Sequence, residues 1–132
     1  MPLYLTAATA LTLACGGGSE DKGQVIEVKA EQVRFVPADI SVAAGETVTL
    51  RLKNVDDMAH DLEVRGLNAQ IISGGGHGGH GGDMMAGTVA VHTEKKQSGS
   101  VTFVAKVKGT YEIWCTISGH KELGMVGKLV VT

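Results

Sequence analysis

Apolar residues in this chain recur at every second position, within short segments closed off by turns. This pattern restricts the backbone more than any other feature of the sequence. Ile26, Val28 and Ala30 alternate with Glu27 and Lys29, and Val48, Leu50 and Leu52 alternate with Thr47, Thr49, Arg51 and Lys53. A period of two sends successive side chains to opposite faces, so each segment predicts a half-buried strand. Val33 to Pro37 followed by Ile40, Ser41 and Val42 predicts an edge strand interrupted at Pro37, because proline gives a ladder no N–H. Ala44-Gly45-Glu46 predicts a turn, and Leu62 to Val64 a strand directly after His60. Val101, Phe103, Ala105 and Val107 predict another strand. After a turn at Lys108-Gly109, Tyr111 to Cys115 and Gly127 to Val131 predict the last two. No helix-length amphipathic stretch competes, and no long repeat or heptad is present. The expectation is therefore an all-β sandwich of two sheets, for which 132 residues suffice as one domain.

Two stretches stand outside this pattern. Residues 1–14 carry Leu3, Leu5, Ala7, Ala8, Ala10, Leu11, Leu13 and Ala14 with no charge, a run too short to span a bilayer. It reads as a signal peptide, and Leu11-Thr12-Leu13-Ala14-Cys15 resembles the lipobox of bacterial lipoproteins, with Cys15 as the acylated residue. Thr12 stands where such motifs usually carry Leu, and no Lys or Arg precedes the run. Residues 15–23, opening with Gly16-Gly17-Gly18-Ser19, read as a flexible tether ahead of a domain spanning 24–132. The second stretch, at about 73–87, is rich in glycine, histidine and methionine and cannot contribute to a core; it reads as a loop. Its His77, His80, Met84 and Met85, with His92 beyond it, have the chemistry of a second copper site. A plain flexible loop is the competing reading.

Twelve basic and fourteen acidic residues are well mixed, so the chain lacks the positive field that nucleic acid requires. The only cysteines are Cys15 and Cys115. If Cys15 is acylated, Cys115 is an unpaired thiol in an oxidising compartment, and a bound metal would account for it. Cys115, His120 and Met125 are spaced along one loop between two strands, with four residues in each interval. His60, at the start of a distant strand, offers a fourth donor. Alone, each of these residues has a plainer reading: a buried small hydrophobe, a surface histidine, a core methionine. Together, two imidazoles, a thiolate and a thioether match a trigonal copper site suited to electron transfer, although spacing alone would admit other metals.

These residues resemble the cupredoxin family, in particular its azurin, rusticyanin and sulfocyanin branches. The resemblance runs over about residues 24–132 apart from the glycine-rich loop. It is carried by Phe35, Pro37, Gly45, Asn54, His60, Gly109-Thr110-Tyr111, Cys115, Gly119-His120, Gly124-Met125 and Gly127. It implies a Greek-key β-sandwich and a monomer holding one type 1 copper that cycles between Cu(I) and Cu(II). His60, Cys115 and His120 would be equatorial ligands and Met125 the axial one, with Asn54 and Asp61 beside the ligands. Asp61 stands where relatives often have Asn or Ser, and its carboxylate could accept backbone N–H bonds near the cysteine. Ser118 stands where relatives frequently have Pro. The resemblance also implies that His120 reaches the surface through an apolar patch, which Ile117, Gly119, Leu123 and Gly124 could form.

The function expected is single-electron transfer between redox proteins, such as cytochromes or a terminal oxidase or reductase. The protein would be exported and lipid-anchored, in the periplasm or on the outer face of the cytoplasmic membrane. An enzymatic role is not expected: multicopper enzymes typically place His beside the copper cysteine, whereas Cys115 lies between Trp114 and Thr116. A binuclear electron-entry site would need a second cysteine within the domain. The main alternative is a periplasmic copper-binding or chaperone protein that uses the His/Met-rich loop. Structural zinc fits less well, since such sites seldom employ Met.

Overall fold

The computed structural model describes residues 23–75 and 87–132. Nine strands follow one another: β1 (Gln24–Ala30), β2 (Phe35–Val36), β3 (Asp39–Val42), β4 (Thr47–Asn54), β5 (His60–Gly74), β6 (Thr88–Thr93), β7 (Ser98–Ala105), β8 (Gly109–Trp114) and β9 (Val126–Val131). The proposed signal peptide, Cys15 and the tether except for its last residue, Gly23, and most of the glycine-rich loop, lie outside the described residues.

The hydrogen-bonded order is β2-β1-β4-β7-β5-β8-β9-β3, with β6 joined to β5. Strand β5 turns this ladder into two layers. Its last residues pair with β7, from Ala69↔Ala105 to Gly74↔Val101, whereas its first residues pair with β6 on one side and β8 on the other. Between these halves the register shifts from Glu63 to Asn68, and Gly66 takes a φ of 77°, so the strand bends as it passes from one layer to the other. Two parallel pairs, β1 with β4 and β3 with β9, bring strands distant in sequence side by side.

The alternating residues point where their period requires. Val28, Leu50, Leu52, Val101 and Phe103 from one layer meet Leu62, Val64, Val91, Ile113 and Leu129 from the other in a single core. Three local expectations are corrected. The strand expected to reach Val107 stops at Ala105, and Val107 is exposed while its carbonyl accepts the Tyr111 hydroxyl at 2.8 Å. The interrupted edge strand is two strands in different layers: β2 pairs with β1, and β3 with β9. With no N–H at Pro37 to continue a ladder, the chain crosses there. Strand β5 is far longer than Leu62–Val64, because Gly66 and the bulge break the alternation that would mark its second half, and β6 is a strand beyond those expected.

Candidate metal centre

Antiparallel pairing of β8 with both β5 and β9 brings the start of β5, the end of β8 and the start of β9 to one end of their layer. His60 opens β5, Cys115 follows the last residue of β8, and Met125 precedes the first of β9. The intervening loop is a tight series of turns. The Ile117 carbonyl accepts the His120 N–H at 3.1 Å, and the Lys121 carbonyl accepts the Gly124 N–H at 2.9 Å. Gly119 and Gly124 adopt φ of 85° and 100°, where a side chain would be strained even though the space around each is open. Met125 is bound to both neighbouring donor residues: its N–H donates to the His120 carbonyl at 3.1 Å and its carbonyl accepts the Cys115 N–H at 3.2 Å.

The donors converge. One ligand atom each from His60, Cys115 and His120 lies within 4.8 Å of the others. His60 Nδ1 is 3.3 Å from His120 Nδ1, and Cys115 Sγ is 3.4 Å from that same nitrogen. His60, Cys115 and Met125 are buried, while His120 is partly exposed. Burial pushes the Cys115 thiol pKa up, and the Asp61 charge adds to this, while N–H groups of Asp61 and Ile117 work against it. The Asp61 N–H lies 3.4 Å from the sulfur. Burial also lowers the His120 pKa, as does the nearby His60, against the opposing charges of Asp61 and Asp56, and this favours the neutral imidazole that can donate a lone pair. One soft sulfur and two imidazole nitrogens, with a buried thioether residue bonded to two of the three, fit copper.

The surrounding residues hold this arrangement. Asn54, at the end of β4, donates to the carbonyls of Met58 at 2.7 Å and Glu94 at 3.1 Å and accepts the Asp56 N–H at 2.9 Å, which shapes the loop that delivers His60. Thr93 Oγ1 donates to the His60 carbonyl at 3.1 Å. The Asp61 carboxylate accepts the Thr116 hydroxyl and pairs with His92 Nδ1, so side chains take the place of the backbone donors expected from the sequence. His92 Nε2 lies 3.1 Å from Glu94. Both nitrogens of His92 therefore face carboxylates, while His77, His80, Met84 and Met85 lie outside the described residues.

Leu123 is well exposed, as are Gly119 and Gly124, whereas Ile117 packs against the core. On the other side of β8, Trp114 lies under two cations, with Arg65 Cζ 4.6 Å and Lys121 Nζ 5.4 Å from its ring centre. Sequence reasoning missed Asp56, whose carboxylate lies 2.8 Å from His60 Nε2. Burial raises the Asp56 pKa, but the N–H groups of Val33 and Gln32 and the His60 ring outweigh it and hold the group below the usual carboxylate value. Thr116 and Thr93 were missed as well. The one available signal was an acidic residue four positions before a candidate ligand, and such a pair is common without any function.

Comparison with known proteins agrees with the geometry. The model of the family described as copper binding proteins, plastocyanin/azurin family, matches residues 23–132. Auracyanin-A of Chloroflexus aurantiacus is 32% identical over 155 aligned positions, which cover 96% of this chain and 92% of that protein. The copper-resistant cuproprotein CopI of Rubrivivax gelatinosus is 33% identical over 117 positions, covering 88% of this chain and 70% of that one. Among solved structures, auracyanin A of Chloroflexus aurantiacus, a "blue" copper protein, matches with a TM-score of 0.65 at 25% identity over 82% of this chain and 98% of that chain.

Proposed function

The chain belongs to the plastocyanin/azurin family of copper-binding proteins, and within that family we propose that it is a type 1 copper electron carrier of the cell envelope. His60, Cys115, His120 and Met125 are arranged as a type 1 copper site. The observation that carries the electron-transfer reading is that these donors are assembled by the fold itself. Two are the residues flanking strand ends, and the loop between them is fixed by its own backbone hydrogen bonds. Copper supplies the one-electron couple when bound. The protein's contribution is to keep the donors from rearranging between oxidation states, which keeps the barrier to transfer low.

His120, the partly exposed ligand, offers the shortest route out. A redox partner such as a cytochrome or a terminal oxidase or reductase would dock over Gly119, Leu123 and Gly124, with Ile117 beneath, in a small contact suited to rapid exchange. The protein would be exported and anchored by acylation at Cys15, with residues 15–23 as the tether. More than one acyl chain would be needed for stable attachment. No enzymatic step is proposed. Similarity to auracyanin, a "blue" copper protein, supports this reading.

The likeness to a copper-resistant cuproprotein favours a second reading, in which the protein sequesters or hands on copper and the His77, His80, Met84 and Met85 segment supplies a further site. Optical and electron-paramagnetic-resonance spectra of the copper-loaded protein, beside Cys115→Ser, test the first reading. An intense thiolate-to-copper band with narrow hyperfine splitting, lost in the variant, is expected; a colourless protein with ordinary copper signals would move the second reading ahead. Calorimetry on a His77→Ala, His80→Ala double variant would then show one copper site fewer.

A further inference from the structure

A carboxylate that the ligand set does not use stands behind His60. Asp56 Oδ2 lies 2.8 Å from His60 Nε2, while His60 Nδ1 lies among the other donors, 3.3 Å from His120 Nδ1. The position of Asp56 is itself determined. Its Oδ1 accepts the Gln32 N–H at 2.8 Å, its Oδ2 accepts the Val33 N–H at 3.0 Å, and its own N–H donates to Asn54 Oδ1 at 2.9 Å.

The turn that supplies those two N–H groups is unusual. Glu31 and Arg34 exchange N–H to carbonyl bonds of 3.0 and 3.1 Å, and between them Gln32 and Val33 take φ of 53° and 56°. Positive φ at both central residues marks a type I′ hairpin turn, which favours Asn-Gly, and a β-branched residue such as Val33 is a marked outlier there. Strain of this kind persists only where the surroundings over-determine it. Here the surrounding group is a carboxylate that accepts both amides, in bonds stronger than neutral ones.

Resting on the copper reading above, we propose that the β1–β2 turn and Asp56 act together as a strut for His60: the carboxylate holds the Nε2 proton, directs the Nδ1 lone pair to the metal and favours the more highly charged Cu(II). Asp56 is a positioning residue, acting through His60 without touching the metal. A carboxylate on the far nitrogen of a ligating imidazole fixes the tautomer and raises ligand basicity. The turn sets where that carboxylate sits, so a hairpin remote in sequence from every ligand becomes part of the metal site's support.

The test compares the wild-type protein with Asp56→Asn and Asp56→Ala, the first retaining shape in case the second folds poorly. In the metal-free protein, long-range ¹H–¹⁵N correlation spectra should show His60 protonated at Nε2, with Nδ1-protonated ring appearing in the variants. In the copper-loaded protein, removing such a partner should weaken Cu(II) binding about tenfold. With Cu(I) affinity unchanged, that raises the midpoint potential by about 59 mV. As a control, Gln32→Asn with Val33→Gly suits the turn to its φ values and should preserve both the tautomer and the potential. Wild-type tautomer and potential in both Asp56 variants would overturn the strut. A wild-type protein lacking the thiolate–copper band would instead sink the copper reading, and with it the potential half of the proposal; that failure is visible before any variant is made.

Discussion

The Thr116 hydroxyl donates to the Asp61 carboxylate at 2.5 Å, joining the residue after His60 to the residue after Cys115 across 55 positions of sequence. The Asp61 N–H also lies 3.4 Å from the Cys115 sulfur, so one residue links the β5 side of the site to the cysteine loop through both its backbone and its side chain. Asp61 is almost fully buried, and the loss of a donor to a buried carboxylate costs more than the loss of an ordinary hydrogen bond. Thr116→Val should therefore destabilise the metal-free protein by about 1.5–3 kcal/mol in urea titrations, with Thr116→Ser close to wild type. A Val variant as stable as wild type would mean that the bond contributes nothing net.

The same carboxylate places negative charge beside the sulfur, which favours Cu(II) over Cu(I). Asp61→Asn should raise the reduction potential measured by protein-film voltammetry. An unchanged or lower potential would contradict this account of Asp61.

Burial alone would lower the pKa of His92, but its hydrogen bonds to Asp61 and Glu94 and their charges outweigh burial and raise it above the usual imidazole value. A group whose folded-state pKa is raised stabilises the fold fully below its unfolded pKa, and that contribution is lost as pH climbs through the folded value. The stability advantage of the wild type over His92→Gln should thus be widest at about pH 5.5 and shrink toward about pH 8.5. Thermal unfolding of the metal-free proteins across that range checks the sign; an advantage that grows with pH would refute it.

Gly127 lies where β9 runs beside the start of β3, and a Cβ added there would collide with the Ala38 carbonyl, which already accepts the Lys128 N–H at 3.0 Å. The obstacle is backbone that cannot swing aside. Gly127→Ala should cost roughly 1–3 kcal/mol and loosen the β3–β9 pairing, seen as faster amide exchange at Lys128. Unchanged exchange would place the slack elsewhere.

Leu123 is 63% exposed in the loop that carries His120. If partners dock there, Leu123→Lys should slow electron exchange with a redox protein several-fold while leaving the copper spectrum intact. An unaffected rate would locate docking on another face.

Strands β1, β4, β7 and β9 were legible from the sequence because a period of two is a local property: Val48, Leu50 and Leu52 share a face whatever pairs with β4. The Cys115–His120–Met125 loop was legible for the same reason, since its donors, turns and glycines are contiguous. Relationships between segments far apart in sequence are settled only when the strands pair and pack. Thr116 and His92 meet Asp61 because β5 lies between β6 and β8 in one alignment, and Asp56, only four positions before His60, stands behind it because a hairpin distant in sequence holds the carboxylate there. Spacing along a chain specifies which groups can meet locally. Hydrogen bonds between strands that are dozens of residues apart are selected by packing, which no single segment encodes.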